Sequence, residues 1–387
     1  MLRGAARLAG IEAVSALLDA SHVELASRLT HFREKHLLTK PAAETDEQAR
    51  GAARAIVRSL GEAGLYAPIG SGDLRALCLT REQIAMASPL ADAVVALQAL
   101  GATPLTIAGT DAQRASWLDG ILAGRIMTAF AMTEPQAGSD VAAMQTTARR
   151  AGDGWIIDGE KHLISNAGIA DLYLVFAVTT PGAGSRGISV FLVPAETPGF
   201  SFEGAQVMAA PHPLGRIRFT ACQVPADALL GDLNAGFKLG MMTLDRVRPS
   251  VGAAACGMAA RAIVETLTHA STRRQFGEPL SAFQLVREKI GRMATELEAA
   301  RLLVYRAAWQ KDHGEPRITL EAAMAKSHAT ETAQRVIDDA VQIAGGLGVV
   351  VGHPVERLYR AVRALRIYEG ATDIQRLIVA GELLKDA

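Results

Sequence analysis

The stretch RIYEGATDIQ, residues 366–375, sets the carboxylate of Glu369 against a glycine, just ahead of the helical run DIQRLIVAGELL. Thr372 and Gln375 have capping-box spacing, which predicts that Thr372 caps the last helix. Glu369 and Gly370 then lie just upstream of a helix N-terminus, where the dipole and free N–H groups favour negative charge. A carboxylate placed there is a candidate general base. The residues alone equally allow a solvated turn.

Three other stretches carry groups with chemical uses. AFAMTEPQAGSD, residues 129–140, sets Thr133, Glu134, Gly138, Ser139 and Asp140 between two apolar pieces. Such a turn offers backbone N–H groups and hydroxyls to a polar heterocycle or a phosphate, or is a plain surface loop. STRRQFG, residues 271–277, puts Arg273 and Arg274 before Phe276, a pattern for pyrophosphate or a solvated helix end. In LDRVRP, Asp245 and Arg248 are three apart on one helix face, which by itself reads as a surface ion pair.

Other patterns point nowhere. Gly182, Gly184 and Gly187 satisfy GxGxxG, but a strand-like run, GISVFLV, follows where a dinucleotide fold needs a helix, so a hairpin loop is expected. The nine histidines form no HExxH, and no metal site is expected. No GxSxG elbow is present.

The elements that must hold these groups fall into three zones of an α+β chain. Residues 1–125 read helical, broken by Gly70–Gly72 and Ser88–Leu90. Residues 126–234 hold short β-rich runs without intervening helices, which predicts an antiparallel barrel or sandwich. From 235 to 387 long amphipathic patterns return, and a four-helix bundle is expected. Ile290, Met293, Leu297, Ala300 and Val304 share one face of the first long pattern. Gly345-Gly346 ends the next.

The 387 residues are 49% hydrophobic and 21% charged, enough apolar material for more than one domain. A net charge of zero disfavours a broad nucleic-acid surface. Three scattered cysteines give no disulfide framework and favour a reducing compartment, and no membrane span is expected. The basic start MLRGAARLAG is expected to be a plain helical N-terminus rather than a targeting segment.

Taken together, TEPQAGSD, GWIIDGEKHLISNAG, RRQFG, QIAGGLG, PVERLYR and IYEGATDIQRLIVA resemble, in order and spacing, the acyl-CoA dehydrogenase family, over about residues 100–387. The resemblance implies FAD and dehydrogenation of an acyl-CoA between Cα and Cβ, with Glu369 as base. Phe130, Met132, Thr133, Gly138 and Ser139 would line the flavin, and Leu163, Ile164 and Ser165 would pack against it. Arg273, Phe276, Gln284, Gln342, Gly345 and Gly346 would hold the FAD of a neighbouring subunit, in a homotetramer built as a dimer of dimers. Thr372 would also belong to the cofactor site. Ser139, Asp245, Arg248 and Gly370 would border substrate. The electron acceptor would be an electron-transfer flavoprotein; from the sparse cysteines, the expected location is the cytoplasm, or the mitochondrial matrix in a eukaryote.

Four departures stand out: Leu163 where the family carries Trp or Phe, Ala371 where it carries Thr, a shortened PHPLGRIRF region, and a poor match around YAPIGSGDLRALCLT. A flavin oxidase or a carrier-protein-thioester dehydrogenase on the same fold is the alternative. A monooxygenase is disfavoured by Glu369. A DNA-associated relative is disfavoured by neutral charge and the lack of a basic C-terminal portion.

Overall fold

The computed structural model describes residues 3–385. The chain forms two compact units, one of residues up to Ala42, Asp73–Asp92 and Asp245 onward, the other of Ala43–Gly72 and Ala93–Leu244.

The first unit is helical. Its elements include Ala20–Phe32, Leu74–Ala87, Gln284–Asp312, Thr319–Ala344, Pro354–Leu365 and Thr372–Leu383. Met293, Leu297, Ala300 and Val304 are buried as their spacing predicts. Gly345 ends its helix at φ 62°, a backbone conformation only glycine adopts freely. The helix Leu74–Ala87 is buried nearly all round, so its polar residues must be paired. Glu82 accepts Arg301 at 2.6 Å and the Tyr305 hydroxyl at 2.8 Å. The helix start is held by carboxylates: Asp73 accepts the Ala76 N–H, and Asp312 those of Leu74 and Arg75. His22, Asp73 and Asp312 thus converge at metal-like spacing, but the two carboxylates serve as helix caps.

The second unit is built on one eight-stranded sheet. Its strands are β1 (Thr128–Ala131), β2 (Thr147–Ala151), β3 (Gly154–Ser165), β4 (Leu172–Val178), β5 (Ile188–Pro194), β6 (Phe200–Ala205), β7 (Leu214–Val224) and β8 (Leu229–Leu230). The order is β6-β7-β3-β2-β4-β5-β8, with β1 also on β4. Trp155, Ile157, Tyr173, Val175, Phe191, Ile217 and Phe219 point into one shared core. The expected antiparallel sheet is corrected to a mixed one, because β1 pairs with β4 in parallel, Thr128 opposite Leu172. The β2–β3 hairpin between them supplies the crossover that a parallel pair requires. Gly182, Gly184 and Gly187 lie in the β4–β5 hairpin connection, as predicted.

Two helices carry longer apolar stretches than the sequence reading expects. Pro89–Ala108 and Gly236–Thr272 have the length and hydropathy of a span, but 78% and 72% of their apolar windows are buried in the protein. A helix packed on all sides is apolar all round.

Candidate active site

In the helical unit Glu369 sits in a turn with φ 55°, followed by Gly370 at φ 93°. A side chain at Gly370 would be strained and would meet the Gln375 amide nitrogen at 2.3 Å, so glycine is needed there. Three side chains from three helices grip the two carbonyls of this strained pair. Arg248 Nε donates to the Glu369 carbonyl at 3.0 Å and Lys326 Nζ to the Gly370 carbonyl at 2.7 Å. Gln375 Nε2 reaches both, at 3.3 and 3.2 Å. With the backbone so held, Glu369 Oε2 is buried without a hydrogen-bond partner among the described residues. Burial pushes its carboxyl above the ordinary carboxylate range, while Arg81, Arg248 and Lys326 pull it back. Lys326 is fully buried, and burial pushes it down to about 8 against the opposing pull of Glu369. Arg81 is closed in a pair with Asp92 at 2.8 and 3.0 Å, and it donates to Ser250 at 3.0 Å.

Two expectations need correction here. Asp245 and Arg248 are no surface pair: Arg248 is 5% exposed, and its 2.8 Å bond to Asp245 orients it toward Glu369. Asp245 also accepts the Thr319 hydroxyl at 2.6 Å. The predicted capping box does not form either. The N-cap is Ala371, without a side-chain cap, and Thr372 is already helical, buried, with its hydroxyl directed to the Arg366 carbonyl. The helix begins one residue earlier than predicted, which leaves Gln375 to hold the turn instead. Ala371 has the extended backbone of an N-cap, φ −54° and ψ 155°. Ala371→Thr is therefore expected to stabilise the protein by about 1 kcal/mol through a new cap. A rise in thermal midpoint checks this, and an unchanged midpoint refutes it.

In the sheet unit, Glu134 anchors the TEPQAGSD turn. It is 3% exposed and accepts Lys161 Nζ at 2.7 Å and the N–H groups of Gln145 and Thr146 at 2.6 and 3.0 Å. Burial raises its carboxyl, but these partners outweigh it and hold it below the ordinary range. The Thr133 carbonyl accepts the His162 N–H at 2.9 Å, which fixes the turn beside a bulge in β3. That bulge puts Leu163 at φ 55° and leaves it 51% exposed. An exposed apolar face next to the Thr133 hydroxyl, which makes no hydrogen bond among the described residues, fits a planar heterocycle such as a flavin ring. Gly138 and Ser139 are exposed, and Phe130 is half-buried against Phe176. Met132 and Ile164 instead point into the interior, so only their backbones remain for a ligand.

The third group lies on the surface of the helical unit. Arg274–Gln275 and Glu278–Pro279 form a tight hairpin whose central residues, Phe276 and Gly277, both have positive φ. Phe276 is 95% exposed. Arg273, Gln284, Gln342, Gly345 and Gly346 are also exposed.

Sequence reasoning missed Lys326 and Arg81. A signal was present: Lys326 falls in register with Ala322, Ala329 and Ala333 on a buried stripe, and Arg81 in register with Leu77 and Ile84.

Three family descriptions match the chain: the acyl-CoA dehydrogenase N-terminal domain over residues 19–125, the middle domain over 129–222 and the C-terminal domain over 234–384. The chain is 38% identical over 378 residues to the mitochondrial short-chain specific acyl-CoA dehydrogenase of Bos taurus, covering 95% of this chain and 91% of that protein. It resembles the solved butyryl-CoA dehydrogenase of Megasphaera elsdenii with a TM-score of 0.87, 32% identity, and coverage of 95% and 99%. It also resembles a chain in the solved electron transferring flavoprotein of Acidaminococcus fermentans, with a TM-score of 0.89, 35% identity, and coverage of 95% and 99%.

Proposed function

The chain belongs to the acyl-CoA dehydrogenase family, and we propose that Glu369 is the base that takes the α-proton of its acyl-CoA substrate. The protein is an FAD-dependent oxidoreductase that introduces a double bond between Cα and Cβ of an acyl-CoA thioester. The observation that carries Glu369 is its buried Oε2, left without a partner while the backbone around it is gripped.

The α-proton is too weakly acidic for a carboxylate in water to remove. Burial brings the Glu369 carboxyl up toward it. The Glu369 backbone N–H, unbonded among the described residues, is free to meet the thioester oxygen as negative charge develops there. Arg248, Lys326 and Gln375 hold that peptide in place, and Asp245 orients Arg248. Bound FAD would supply the acceptor for the β-hydride. Thr133, Gly138, Ser139 and the segment 163–165 would hold its ring, and Thr372 would keep the last helix start in place beside the base.

The base must be ionised to act, so the acid limb of kcat/KM is expected above the ordinary carboxylate range. Lys326→Met removes a cation that favours the ionised form, so the limb should move to still higher pH. A limb unmoved by that substitution would show that Lys326 does not act on the base.

The assembly is a homotetramer in this reading. Its support is the fully exposed Phe276 and the exposed run Leu347, Val349, Val350 and Val351, apolar surface that a second copy would cover. Light scattering near four times the 40.8 kDa chain mass checks it. The division at 1–125, 126–234 and 235–387 is kept as the domain scheme. An electron-transfer flavoprotein is the acceptor this reading favours, in line with the Acidaminococcus fermentans likeness. A cytoplasmic or matrix location agrees with three free, buried cysteines, and cell fractionation tests it.

Anaerobic titration of the FAD-loaded protein with a panel of acyl-CoAs tests the function. Loss of flavin absorbance is expected, and its absence with every thioester would overturn the reading. A second reading, an oxidase, draws on the half-exposed Leu163, which would leave a ring edge open to oxygen. Oxygen consumption without an added acceptor would favour it.

A further inference from the structure

The loop 206–213 between β6 and β7 runs into the shortened PHPLGRIRF region that departs from the family pattern, sharing residues 211–213 with it. It holds the β3 bulge at four points. Gln206 Oε1 accepts the Leu163 N–H at 2.9 Å, and Gln206 Nε2 lies 2.6 Å from His162 Nε2. The Pro213 carbonyl accepts the Asn166 N–H at 2.8 Å. His212 Nε2 lies 2.7 Å from the Ser165 hydroxyl.

We propose that His212 is a positioning residue for the Ser165 hydroxyl and, through it, sets the balance between oxidised and reduced FAD. The proposal rests on the reading above that the segment 163–165 faces the flavin. A serine hydroxyl has one proton and two lone pairs, and it rotates freely unless a partner fixes it. A neutral imidazole at 2.7 Å takes either that proton or one lone pair. In both tautomers the rotor stops, and the hydroxyl presents a fixed donor or a fixed acceptor. Oxidised and reduced flavin differ in protonation along the ring edge. A fixed hydroxyl therefore favours one of them, whereas a free one adapts to both. Burial, with Arg50 adding to it, pushes His212 down to about 4, so the ring stays neutral across the working range. His212 thus acts as a constant constraint and not as a pH switch.

The test uses the FAD-loaded protein and reads the flavin midpoint potential, the visible spectrum and the thermal midpoint. His212→Asn places a polar group near Nδ1 but not at Nε2, and should shift the oxidised-to-reduced ratio about tenfold, or about 30 mV for a two-electron couple. His212→Gln reaches the Nε2 position and should restore the wild-type potential. Ser165→Ala should shift the potential by a similar amount, and the His212→Asn/Ser165→Ala double variant should shift it no further. A wild-type potential in His212→Asn beside a shifted Ser165→Ala would overturn the role of His212 and leave the segment facing the flavin. Silence in both variants would instead remove the segment from the flavin. A fall in thermal midpoint with an unmoved potential would reduce His212 to a structural residue.

Discussion

Glu369→Gln should give a yellow, FAD-loaded protein whose absorbance acyl-CoA no longer bleaches. The amide keeps the size and shape of the carboxyl but cannot accept the α-proton. The backbone grip by Arg248, Lys326 and Gln375 acts on carbonyls and does not depend on the side chain, so the turn should survive. Burial of a neutral amide in place of a charged group should not destabilise the fold, and the thermal midpoint should hold or rise. The reductive rate should fall by about 10²- to 10⁴-fold, the scale of a lost general base. Single-turnover stopped-flow with a thioester that reduces the wild type reads it directly. Bleaching at the wild-type rate would remove Glu369 from the chemistry, whatever its surroundings.

Lys161→Met should destabilise the sheet unit by about 3–5 kcal/mol, because it leaves Glu134 buried without its cation. Glu134 would keep the Gln145 and Thr146 N–H groups, which places the loss toward the lower end of that range. The effect should reach the cofactor, since the same pair ties the Thr133 turn to the bulge carrying Leu163. FAD affinity is therefore expected to fall together with the urea midpoint. A loss below about 1 kcal/mol would mean that the pair is solvated in the native protein.

Much of the fold was legible in the chain. Helical and strand periods are local, so the change of element type could be placed: the last early helix ends at Leu122, β1 starts at Thr128, β8 ends at Leu230 and the next helix starts at Gly236. The parallel β1–β4 pairing was not legible, because strand direction is settled by partners far along the chain. The helix start at residue 372 was misplaced by one residue, because capping-box spacing is only a local preference. Arg248 was read as exposed because i,i+3 spacing reports a shared face and not what covers it.

The sequence by itself determined the order of elements, the family motifs and Glu369 as the carboxylate to watch. Tertiary structure alone decided how that carboxylate is held. Lys326 and Arg248 lie 44 and 121 residues from the carbonyls they grip. Whether Glu369 is an ordinary solvated acid or a poised base depends on the burial and on the three cations that packing brings around it. Those are long-range electrostatic facts, and no local pattern carries them.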